Sequence, residues 1–131
     1  MTNSHNIHAA CVFVATVLVA ACVSTGAHYT ANPDAAGYAA KVKKDPGDVV
    51  VSETSTIGHR YKVIGSIEAS GRSLNLLSPA PTREDLDKAL RVQAAKRGGD
   101  AVINVVYQSQ REGLASHGKM TATGQAVVFT D

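Results

Sequence analysis

The chain has 131 residues, 44% of them apolar and only 5% aromatic, with a formal charge of +2. That length holds one small domain and a leader, and the near-balanced charge without any Trp argues against a nucleic-acid binder, which shows a basic stripe with aromatic partners. Both cysteines, Cys11 and Cys22, fall near the start, so the rest of the chain has no thiolate for a disulfide, a metal or nucleophilic catalysis.

Residues 1–21 contain no Asp, Glu, Lys or Arg. Ala9 to Ala21 is apolar apart from Thr16. It falls short of the ~20 residues a membrane span needs, and it has the length of a signal-peptide core. The run Leu18-Val19-Ala20-Ala21-Cys22 that follows resembles a bacterial lipobox. Small side chains flank the cut, and the thiol of Cys22 is placed to take a diacylglyceryl group. The alternatives are a buried helix with an ordinary Cys22, and a secreted protein cut elsewhere. Val23, rather than Asp, follows Cys22, which favours the periplasmic face of the outer membrane over the inner membrane.

Residues 22–47 are rich in Ala, Gly, Ser and Thr and show no lasting period, so they read as a flexible tether with a reach of ~80 Å when extended. Lys41, Lys43 and Lys44 read as solvated linker charges, with contact to anionic headgroups as the alternative. The domain is expected over residues 48–131. Val49 to about Thr54 opens a strand, and Arg60 to Ala69 continues as its hairpin partner. Tyr61, Val63, Gly65 and Ile67 are assigned to the buried face, and Lys62, Ile64, Ser66 and Glu68 to the wet one. The connection from Ser70 to Pro81 carries Leu74, Leu76 and Leu77. These cap the core or, with Leu114, form a contact patch for a partner.

The helix is predicted over 83–97. Thr82 is its N-cap and Asp85 completes an imperfect capping box. Glu84, Asp85 and Asp87 at the start and Arg91, Lys96 and Arg97 toward the end match the helix dipole. Leu86, Ala89, Leu90 and Ala94 make one apolar stripe, and Gly98 is the expected left-handed stop. Asp100 closes the turn into AVINVVY, an interior strand with Ile103, Val105 and Tyr107 on one face and Val102, Asn104 and Val106 on the other. Met120 to Phe129 forms the last strand, with Met120, Ala122, Gly124, Ala126 and Val128 on one side. Gly65 and Gly124, together with the small helix residues, imply a helix packed closely over the sheet. The order is ββαββ: an α+β domain, mainly antiparallel, with the helix on one face.

Lys62-Val63-Ile64-Gly65-Ser66-Ile67, the link Ala94-Ala95 to Gly98-Gly99-Asp100-Ala101-Val102, and the strand with Gly124, Ala126 and Val127 together resemble the YbjQ-like heavy-metal-binding domains and the RcsF-type envelope sensor lipoproteins. The resemblance implies a small α+β domain that self-associates through its sheets or signals through protein contacts. RcsF-type members use disulfides, which the cysteine-free domain lacks.

No chemistry is written plainly into the chain. His59 and His117 are the candidate metal ligands, with Asp100 or Glu112 to complete a site, but solvated loop histidines are the plainer reading. No G-x-S-x-G or H-E-x-x-H occurs. Gly98-Gly99 follows a helix instead of opening one, so it offers no phosphate cradle. The expectation is a non-enzymatic lipoprotein without cofactor. It is held to the membrane by its N-terminal lipid and acts on envelope proteins; a structural homo-oligomer and a weak metal or small-ligand binder are the alternatives.

Overall fold

The computed structural model describes residues 23–35, 37, 43–73, 77–111 and 118–131. Five strands form one sheet: β1 (Val23–Ala31), β2 (Val50–Val51), β3 (Tyr61–Ser73), β4 (Ala101–Gln110) and β5 (Lys119–Phe129). Their spatial order is β1-β3-β5-β4-β2. All neighbours are antiparallel except β2 and β4, which are parallel. One helix, α1 (Arg83–Lys96), lies on one face. The architecture is the expected small α+β domain.

The helix starts and stops where its caps dictate. The Thr82 hydroxyl accepts from the Asp85 amide at 3.2 Å, and the Asp85 carboxylate accepts from the Thr82 amide at 3.0 Å, so two otherwise orphaned donors are satisfied. The Thr82 amide first, and then the Thr82 hydroxyl donating to the same carboxylate at 2.8 Å, hold the Asp85 carboxyl below the usual carboxylate range. At the other end the Gly99 amide donates to the Ala94 carbonyl at 2.8 Å and the Gly98 amide to Ala95 at 3.0 Å. This is a Schellman closure, with Gly98 at φ 74° as its left-handed residue. Leu86, Leu90, Ala94 and Ala95 are buried against the sheet; each leucine contributes about 1.5–3 kcal/mol by leaving water.

Three expectations are corrected. The stretch assigned to a tether supplies β1, which pairs with β3 from Val23↔Ser73 to Ala31↔Gly65. The lack of an apolar alternation across Gly26, Ala27 and His28 hid it. What holds it is tertiary: Tyr29 donates from its hydroxyl to the Ile64 carbonyl at 2.9 Å, its ring lies under the Arg97 guanidinium at 4.6 Å, and Gln93 reaches the Ala27 carbonyl at 3.4 Å. Lys44 is likewise docked, its ammonium on the Asp100 carboxylate and its amide on the Ala95 carbonyl.

The second correction concerns the hairpin. Val50–Val51 does not turn back on Tyr61–Ser73 but pairs in parallel with β4, at Val50↔Ala101 and Val51↔Val102. The alignment continues as Ser52 donates to Val102 and accepts from the Val105 amide. The third is a matter of parity. β3 shifts register between Val63 and Gly65, and β4 between Ile103 and Val106. Ile64 therefore joins Ile67 and Ala69 beneath the helix, and Val105 joins Val102 and Tyr107 there. Tyr61, Val63 and Ile103 turn to the opposite face. A single extra residue in one strand reverses every side chain beyond it.

β5 has no such break. Ala122, Gly124 and Ala126 point under the helix as expected, with Met120 and Val128 packed beside them, while Val127 and Phe129 face the other way.

Candidate functional site

The sheet face away from α1 is divided in two. At the end nearest β2, Ala101, Ile103 and Val127 are buried under Ile57, Tyr61, Val63 and Phe129. Residues 52–60 fold over this patch, tied down by the Asn104 amide on the Thr54 carbonyl and the Thr130 amide on the Arg60 carbonyl. His59 stacks on Phe129 with ring centroids 4.3 Å apart, and its Nδ1 lies 3.3 Å from the Asp131 carboxylate.

Beyond the two bulges the face is open and polar. Its cross-strand rows run Thr30–Ser66–Gln125, His28–Glu68–Thr123–Val106 and Gly26–Ser70–Thr121–Gln108. Two shallow hollows lie here and share Ser66 and Gln125. One, about 200 Å³, is also lined by Thr30, Asn32 and Gly65; the other, about 270 Å³, by Asn104, Thr123 and Gly124. On the wall of the second, Asn104 stands at φ 52°, among the described residues the sole non-glycine in the left-handed region. Its side-chain amide donates to Gln125 Oε1 at 3.2 Å. Asn tolerates this conformation better than any β-branched residue. The result is an exposed amide pair, turned outward in the middle of an apolar strand sequence.

The bulges are made by close approach. A Cβ on Gly124 would come within 2.7 Å of Val102 Cγ1 and 2.9 Å of Val105 Cγ2. A Cβ on Gly65 would lie 2.4 Å from the Thr30 carbonyl and 2.6 Å from the Tyr29 ring. Gly65 thus receives Tyr29 of β1, and the close approach expected there comes from the edge strand, not from the helix. On the helix side, the Tyr107 hydroxyl donates to the Asp87 carboxylate, and Arg83 lies over its ring at 4.4 Å while bonding Glu53 at 3.0 Å. Burial, then the Asp87 bond, raises the Tyr107 pKa to about 12.

The predicted site residues scatter. Cys22, Leu74, Leu76, Leu114 and His117 lie outside the described residues. Leu77 is 96% exposed. His59 is engaged with Phe129 and Asp131, and Asp100 is committed to Lys44 and to the Phe129 amide at 2.8 Å, so the two do not converge on one site. Among the described residues no three His, Cys, Asp or Glu gather at metal-binding distance, and no helix is long and apolar enough to cross a membrane. Asn104 and its polar surroundings were missed. The available signal was an Asn inside a Val/Ile run, which marks a bulge.

No family model and no curated protein matches the chain. Solved structures similar to it include the Francisella virulence factor FvfA, with a TM-score of 0.51 at 17% identity over 82% of this chain and 100% of that one. Another is a protein of unknown function of the DUF74 family from Pediococcus pentosaceus, with a TM-score of 0.49 at 16% identity over 63% of this chain and 98% of that one. At such identities the likeness to FvfA is one of fold: a small sheet with one helix across it.

Proposed function

We propose that the protein is a lipid-anchored envelope module that acts by protein–protein contact through the open sheet face. The observation that carries this reading is the run Leu18-Val19-Ala20-Ala21-Cys22, which ends a charge-free apolar segment immediately before a folded domain. Cys22 is the acylated residue, and the absence of Asp after it directs the protein to the outer membrane. The face itself supports contact over chemistry: it is broad, polar and only shallowly hollowed, with hydroxyl and amide groups from four strands. Ligand sites are usually enclosed, mostly apolar pockets of ~300–1,000 Å³. The resemblance to RcsF-type sensors fits such a role, although a disulfide-based mechanism does not carry over to a domain without cysteine.

Mass spectrometry of the native N-terminus tests the anchor: a diacylglyceryl Cys22 is expected, and an unmodified or differently cut terminus refutes it. Photocrosslinkers at Ser66, Thr123 and Gln125 test the face. They should capture a distinct envelope protein, whereas crosslinks to lipid alone or to nothing refute contact through this surface. A second reading, the homo-oligomer, is favoured by the nine-residue edge strand β1, which among the described residues pairs on one side only, with β3. Light scattering on the detergent-solubilised chain separates the two, since a stable dimer or ring supports the second.

A further inference from the structure

β1 begins at Val23, the residue bonded directly to Cys22. Consecutive Cα atoms are about 3.8 Å apart, so an acyl group on Cys22 leaves no slack between bilayer and sheet. Val23 pairs with Ser73, Arg72 with Lys119, and Lys119 with Gln110. One end of the sheet therefore brings Val23, the residue after the anchor, together with Arg72, Lys119 and, one residue beyond β4, Arg111. Leu77 belongs to the same end, because the Ser73 hydroxyl donates to the Ser78 carbonyl at 3.3 Å and keeps that turn beside the close of β3. Leu77 is 96% exposed, the most exposed large apolar side chain among the described residues. The first turn of α1 reaches Gly71, two residues before the close of β3, where Leu86 and Pro81 pack, and Asp85 there shares a hollow with Thr25 and Lys88 on the helix side of the sheet.

Resting on the acylation of Cys22, we propose that this end of the sheet lies against the bilayer, with Leu77 in the headgroup layer and Arg72, Arg111 and Lys119 facing anionic lipid phosphates. The occupant is a lipid surface because the anchor brings that surface to within one residue of β1. An exposed leucine at the same sheet end as three cations is a composition that favours the headgroup boundary of an anionic membrane. The strands then stand up from the membrane. β3, with 13 residues, carries Arg60 and the C-terminal end roughly 40 Å away from the surface. The open polar face is turned sideways, where a neighbouring envelope protein reaches it without displacing lipid.

The test uses the native acylated protein in vesicles of phosphatidylethanolamine and phosphatidylglycerol with brominated chains. Acylation blocks the Cys22 thiol, and cleavage removes Cys11, so a fluorophore on Leu77→Cys or Arg60→Cys reports a single position. Bromine quenching is expected to be severalfold stronger at position 77 than at position 60. The double change Arg111→Glu and Lys119→Glu should reduce quenching at 77 severalfold in the anionic vesicles and leave it unchanged in pure phosphatidylcholine. Equal quenching at both positions, or none at 77 while the mass of the N-terminus shows an acylated Cys22, overturns the orientation and leaves the anchor standing. An unacylated N-terminus overturns both.

Discussion

The two faces of the sheet are built from the same strands under opposite rules. Under α1 the packing is apolar and closed, with Leu86, Leu90, Ala94 and Ala95 above and Ile64, Ile67, Ala69, Val102, Val105, Ala122 and Ala126 below, every one shut off from water. The space left at Gly124 is taken by Val102 and Val105 of β4 rather than by the helix. On the other side the residues between the same positions are Ser66, Glu68, Thr123 and Gln125, all exposed. The face that stabilises the fold is intolerant of volume, while the face offered to solvent is tolerant of almost any polar group. The bulges at Ile64 and Asn104 let both rules hold along one strand, because they end the outer apolar patch where the loop that covers it ends.

The sharpest break of the comparison is Leu90→Ala, which removes a wholly buried side chain beneath the helix; a loss of about 2–5 kcal/mol in urea unfolding is expected. Thr123→Ala on the open face should fall within about 0.5 kcal/mol of the parent, and a loss comparable to that of Leu90→Ala would mean the open face is itself part of the core. Gly65→Ala comes next. The new methyl meets a backbone carbonyl and the Tyr29 ring, so a cost of about 1–3 kcal/mol is expected, together with faster hydrogen exchange confined to β1. Global loss without exchange in β1 would contradict the assignment of Gly65 as its receptor.

Thr82→Ala removes the helix N-cap and should cost about 1 kcal/mol by thermal or urea unfolding. The last effect is confined to high pH. The folded pKa of Tyr107, about 12, lies above its ordinary 10.0, so its contribution is complete below pH 10 and is lost as the pH rises through 12. Difference absorbance against Tyr107→Phe should show Tyr107 forming tyrosinate well above its ordinary pH, and Asp87→Asn should move that titration toward the ordinary value.

Much of the helix face was readable in advance. Thr82, Asp85, the leucine spacing and Gly98 act within one helix, and the run of Ala122, Gly124 and Ala126 alternates without interruption, so local rules sufficed. The two bulged strands were not readable by alternation, since a period of two predicts the wrong face for Ile64 and Val105 once one residue is inserted. β1 was hidden for another reason. Val23, Thr25, Tyr29 and Thr30 favour strands, but Gly26, Ala27 and His28 interrupt them and leave no apolar alternation, and its place depends on Tyr29 finding the gap at Gly65, over thirty residues later in the chain.

The linear chain determined a capped amphipathic helix, an apolar strand on either side of it, and a lipobox-like leader, because each depends on neighbours a few residues apart. The fold alone decided which edge of the sheet β1 and β2 occupy, which way Ile64, Asn104 and Val105 point, and that no spacer separates Val23 from the sheet. Those outcomes come from pairings between distant segments, where the fit of one side chain into another's missing Cβ outweighs local preference.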